Sequence, residues 1–137
     1  MKVGMTGTRF GLTEPQFEAF QHVIPWINVT EFHHGDCVGA DAEIATYLRE
    51  YHPTIRIISR PCTITKARAY TPADETHDPI EPLVRNRLIV DSVDLMFAFP
   101  GKMMEQQRSG TWATIRYARK QGVTLAIFWP DGSTTNE

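Results

Sequence analysis

Four short stretches of this 137-residue chain combine glycines, hydroxyls and charged groups in a way that suits an anionic ligand. In "TGTRFG", Gly7 and Gly11 permit close backbone approach around Phe10. Thr8 offers a hydroxyl there, and Arg9 can make a forked contact with phosphate. In "HGDCVGAD", Gly35, Gly39 and Ala40 keep a helix start small, so that its amides can meet an anion. Asp36 or Asp41 can instead accept hydrogen bonds from a ribose diol, or both can be helix caps. "PLVRNR" places Arg85, Asn86 and Arg87 on a helix. Residues two apart diverge by roughly 200°, so Arg85 with Asn86 is taken as the ligand-facing pair. Finally, Arg108, Ser109, Gly110 and Thr111 open a helix in a manner suited to phosphate. Trp112 either stacks on a base or packs in the core.

A metal site is not expected. His33, His34, Asp36 and Cys37 match no common zinc spacing, and adjacent residues on a strand point to opposite faces. Cys37 and Cys62 form neither a disulfide framework nor a C-x-x-C pair, which suits a reducing cytoplasm, that of a cell or of a virus-infected host. The apolar start "MKVGM" gives way to Gly-Thr-Arg rather than to the core of a secretion signal. No apolar run approaches the roughly 20 residues of a membrane helix. The net charge of -2 argues against a nucleic-acid-coating protein, because such affinity comes from many Lys/Arg–phosphate contacts.

Short apolar runs alternate with helical patterns, which predicts an α/β domain with a mostly parallel sheet of about five strands and helices on both faces. The strands fall at 2–6, 29–33, 54–59, 94–100 and 123–129. The helices fall after Thr13, at 41–51, at about 82–92 and at 111–121. Thr13 and Gln16 form a capping box, and Gly122 stops the last helix. Residues 60–81 read as a long surface loop and 131–137 as a frayed tail, leaving one domain over 1–130. In such sheets ligands sit beyond the carboxyl ends of the strands. The turns quoted above lie there, together with Pro100 after the fourth strand.

The order "GTRFG", "HGDCVGAD", "PLVRNR", "FAFP" and "SGTWATIRYA" resembles the SLOG superfamily of Rossmann-like nucleotide-binding domains over about Val3 to Phe128. The resemblance implies a nucleotide or nucleotide-derived ligand. Its lonely-guy branch cleaves base from ribose 5′-monophosphate, whereas members linked to TIR immunity bind ADP-ribose-type signals. The cleaving branch carries a catalytic glutamate three residues after its Gly-Thr pair. Here that position is Thr114, which has no carboxylate to support cationic charge on ribose. Glu105, in the inserted "KMMEQQRS" loop, is the alternative carboxylate. The expectation is therefore a domain that senses or sequesters an ADP-ribose-like molecule without cutting it. Arg9 and the Ser109–Thr111 turn hold phosphates in that reading, and Trp112 or Tyr70 packs on the base. A phosphoribohydrolase is the alternative. No cofactor is expected, and nucleic acid is not an expected partner. The resemblance also implies a homo-oligomer, with Phe10, Met103 and Met104 as contacts or as a lid.

Overall fold

In the computed structural model, which describes residues 1–137, the chain starts with strand β1 (Lys2–Gly7) at the centre of the sheet. It continues through helix α1 (Glu14–Val23), β2 (Glu31–His34), α2 (Ala40–Tyr51), β3 (Arg56–Ser59) and β4 (Glu75–Thr76). Then follow α3 (Pro82–Asp91), β5 (Leu95–Phe99), α4 (Gly110–Gln121), β6 (Thr124–Phe128) and β7 (Thr134–Asn136). The strand order is β4-β3-β2-β1-β5-β6-β7, with every pair parallel except β6 and β7. The chain builds outward from β1 in one direction and then, from β5, in the other. The β1–β5 seam is therefore the switch point at which an open α/β sheet leaves a crevice.

The central strands are apolar on both faces because helices cover both. Phe97 and Phe99 of β5, with Ala126 and Phe128 of β6, join Phe20 of α1 and Ile44 and Leu48 of α2 in one core. Their neighbours Met96, Ala98, Leu125 and Ile127 point the other way, onto Ile89 and Val90 of α3 and Ile115 and Ala118 of α4. Phe20 is fully buried at the centre of the first layer. It makes edge-on contacts with Phe32, Phe97, Phe99 and Phe128 at centroid distances of 5.9–6.4 Å.

Helix ends follow their local chemistry. The Thr13 hydroxyl accepts from the Gln16 amide while the Gln16 side chain accepts from the Thr13 amide, which closes the expected capping box. Gly122 ends α4 in the left-handed region at φ 73°. Pro25 cuts α1 short, and residues Ile24–Trp26 continue as a 3-10 turn.

Two segments differ from expectation, raising the strand count from five to seven. The tail is a strand rather than frayed. Asp131 accepts from Ser133 through backbone and hydroxyl, Gly132 turns at φ 90°, and β7 returns along β6. A forked contact of 2.7 Å at each arm between Arg119 and Glu137 holds it there. The 60–81 segment is docked against the sheet through β4. The Asp74 and His77 amides donate to the Ile57 and Ser59 carbonyls, and residues Thr65–Ala67 form a short 3-10 turn. No helix is long and apolar enough to cross a membrane.

Candidate functional site

A cleft of about 650 Å³ opens beyond the carboxyl ends of β1, β2 and β5, more than twice the volume of the hollows around Arg49. Of the expected residues, it brings together Gly7, Thr8, Arg9, Phe10, Gly35, Asp41, Arg85, Asn86, Arg108, Ser109, Gly110 and Thr111. Asp36, Gly39, Ala40, Pro100 and Trp112 lie outside its lining.

The positive end of the cleft is the start of α4. Ser109 caps the helix by accepting from the Trp112 amide at 3.3 Å, so the amides of Gly110 and Thr111 keep no intrahelical partner. Arg9, Lys102 and Arg108 surround this end. All three are exposed, and none takes part in an ion pair or a side-chain hydrogen bond. Phe10 stands at the mouth fully exposed.

The α2 start does not play the anion-binding part expected of it. The Ala40 amide donates to the Thr8 carbonyl at 3.0 Å, and the Val38 amide to the Ala67 carbonyl at 2.9 Å. Gly39 sits at φ 93°, where an added Cβ would lie 2.5 Å from the Arg9 carbonyl carbon and oxygen. The small residues here let the turn after β1 seat directly on α2, and protein occupies the place of an anion.

The two aspartates of "HGDCVGAD" diverge. Asp36, in the left-handed region at φ 54°, spends both carboxylate oxygens on the protein. Arg68 Nε donates at 3.0 Å, the Thr71 amide at 3.0 Å and the Thr71 hydroxyl at 2.7 Å. Burial alone would raise the Asp36 carboxyl, but these bonds outweigh it and hold it below the usual range. The ribose role offered to Asp36 is therefore withdrawn, and this residue ties the 68–71 loop to β2. Asp41 stays in the cleft. Its Oδ2 accepts the Gly35 and Cys37 amides at 3.1 and 3.2 Å, and Oδ1 has no hydrogen bond. Burial pushes this carboxyl up, against the pull of His34 and Arg85.

Arg85 is buried and braces the same turn. Its Nη1 donates to the carbonyls of Gly35 and Arg60 at 2.7 and 3.1 Å, its Nε to Asn86 Oδ1 at 2.7 Å, and Nη2 reaches Cys37 Sγ at 3.6 Å. Arg87 leaves the cleft and lies over the Tyr117 ring, as the divergence of residues two apart requires. Beneath, His34 Nδ1 accepts the Asp36 amide, so its buried Nε2 carries the hydrogen and has no partner. Burial holds this imidazole below its usual range.

Trp112 packs in the core at 3 % exposure, tilted against Trp129, and its stacking role is withdrawn. Tyr70 lies under Arg68, away from the cleft. Thr114 is buried and donates to the Gly110 carbonyl, while Glu105 pairs with Arg116 at 2.7 Å and does not line the cleft. Asp41 is thus the only carboxylate in the lining.

Sequence reasoning missed Lys102, Gln106, Cys37 and the floor residues Met5, Thr6 and Ile89. Lys102 lies three residues past the end of β5, and the strand-end rule that selected Arg9 would also have selected it. Nothing local marks Met5 or Ile89, which are ordinary core-facing residues that happen to end at the crevice.

Neither family models nor curated proteins yield a match. Among solved structures, the chain is similar to DNA processing protein A from Helicobacter pylori, described for its single-stranded DNA binding mode. The TM-score is 0.59 at 19 % identity, over 93 % of this chain and 64 % of that one. This likeness shows a Rossmann-like fold. The chain spans less than two thirds of that protein's length. The likeness also overturns the expectation of an ADP-ribose-like small molecule sensed, sequestered or cleaved, with nucleic acid set aside. A protein described for binding single-stranded DNA carries the same fold. The exclusion had rested on the whole-chain charge, yet Arg9, Arg85, Lys102 and Arg108 face one carboxylate in the cleft.

Proposed function

We propose that this chain binds single-stranded nucleic acid through the cleft beyond β1, β2 and β5. Phosphates sit on Arg9, Lys102, Arg108 and the free amides of α4, and a base stacks on Phe10. The observation that carries this reading is the set of three exposed cations with no partner inside the protein, gathered around an open helix start. Such cations exchange condensed counterions for phosphates, and a fully exposed aromatic beside them gives a base a stacking platform. A net charge of -2 does not oppose this, because steering depends on the local field of the cleft. The single-stranded DNA binding described for the H. pylori protein of similar fold supports the reading. Membership of the SLOG superfamily belongs to the same proposal, since its motifs recur here at the strand ends.

A single strand is favoured over a duplex. A crevice between adjacent strands admits an unstacked nucleotide, whereas a rigid helix could touch only its rim. The test is fluorescence anisotropy with a labelled oligonucleotide, single-stranded or annealed, at about 50 mM salt. The single strand is expected to bind and the duplex to compete poorly. Equal affinity for both, or no binding to either, overturns the proposal.

A further inference from the structure

The floor of the cleft presents an acceptor with no hydrogen bond and a donor that meets only a sulfur. Asp41 is 6 % exposed, and its Oδ1 has no hydrogen bond although Oδ2 takes two amides. Oδ1 keeps accessible surface in the cleft lining, so a ligand that supplies donors can meet it there. Arg85 lies beside it. Its Nε and Nη1 are committed to protein oxygens, but Nη2 has only the Cys37 sulfur at 3.6 Å. Gly35 separates the two groups. A Cβ there would collide with the Arg85 guanidinium and lie 3.0 Å from Asp41 Oδ2, so only glycine leaves the pair open.

Distance decides which part of a nucleotide arrives here. Asp41 is bonded to the turn after β2, whereas α4 opens after β5, and β1 lies between those strands. Two strand spacings make roughly 10 Å. That is about the reach from a phosphate to the pairing edge of its own base, and the sugar hydroxyls fall short of it.

Among bases, guanine alone offers two adjacent donors, N1–H and N2–H, beside an acceptor, O6. Adenine and cytosine bring a single amino group to a carboxylate. Thymine and uracil bring one N–H flanked by carbonyls that a carboxylate repels. We infer that the floor reads one guanine of the bound strand, with N1–H and N2–H on Asp41 Oδ1 and O6 on Arg85 Nη2. This rests on the nucleic-acid reading proposed above.

The test is anisotropy with labelled oligothymidine strands carrying one central guanine, hypoxanthine, adenine, cytosine or thymine. The guanine strand is expected to bind at least about tenfold tighter than the thymine strand, as a good base-edge contact does. Hypoxanthine, which lacks only the 2-amino group, is expected to fall between them, and this arm needs no protein variant. Asp41→Asn, checked for folding by circular dichroism, is expected to bind guanine and thymine strands alike. Equal affinity for all strands overturns the guanine reading and leaves the nucleic-acid reading standing. Binding to none overturns both. A preference for RNA over DNA that Asp41→Asn abolishes would assign Asp41 to a sugar hydroxyl and overturn the inference.

Discussion

Neutralising the three unpartnered cations should change how salt acts on binding, by an amount the geometry sets. Arg9, Lys102 and Arg108 line one end of the cleft and hold no partner in the protein, so each is free to displace one counterion. For a single strand each phosphate neutralised adds about 0.7 to the slope of log affinity against log salt, so three predict a slope of about −2. A fourfold rise in salt should then weaken binding about twentyfold. Any single change to alanine should lower the slope to about −1.4, and the same rise should then cost only about sevenfold. The assay is anisotropy of a labelled oligothymidine across a salt series, with thermal melting to confirm that each variant folds. Arg119→Ala, whose cation is engaged by Glu137 far along α4, serves as the control and should leave the slope unchanged. If the cleft variants also keep the parental slope, the phosphates lie elsewhere and the reasoning fails.

Further outcomes follow from the same structure. Asp36→Ala should destabilise the fold by about 3 kcal/mol in urea unfolding, since three bonds from Arg68 and Thr71 lose their acceptor, while strand affinity stays unchanged. The Asp36 carboxyl titrates below its ordinary 3.8 when folded, so its contribution is present above that value and is lost as pH falls through the folded value. The stability gap between the parent and Asp36→Asn should therefore shrink in acid, as urea midpoints across pH will report. Phe20→Ala should cost about 3–5 kcal/mol by the same unfolding assay, because it empties the centre of a five-ring cluster. Phe10→Ala should weaken single-strand binding about tenfold with melting unchanged, whereas Trp112→Phe should shift melting and leave affinity alone.

How much of this was legible in the chain depended on how local the cause was. The capping box at Thr13 and Gln16, the β-branched run in β3 and the glycine stop at Gly122 act within a few residues, and those elements stand where expected. The tail failed because its pairing partner, β6, is not recognisable from "STTNE", although Asp131-Gly132 was a turn signal. The site divides the same way. Strand-end turns are a rule of topology, so Arg9 and Ser109–Thr111 could be found. Which aspartate remains free depends on Arg68 and Thr71, more than thirty residues away from Asp36. The plug on α2 depends on a carbonyl from β1's turn, and no pattern in "HGDCVGAD" shows it. Net charge misled because it sums over the whole surface, whereas a ligand meets only the few groups lining the cleft.

The most direct test of the central claim is an NMR titration of the isotope-labelled chain with a short single-stranded oligonucleotide. The account predicts amide shifts clustered at Gly7–Gly11, at Gly35–Asp41 and from Gly101 to Trp112, the three turns that meet at the cleft. Shifts confined to the opposite end of the sheet, around Trp26 and His52, or no shifts at saturating strand, would contradict it.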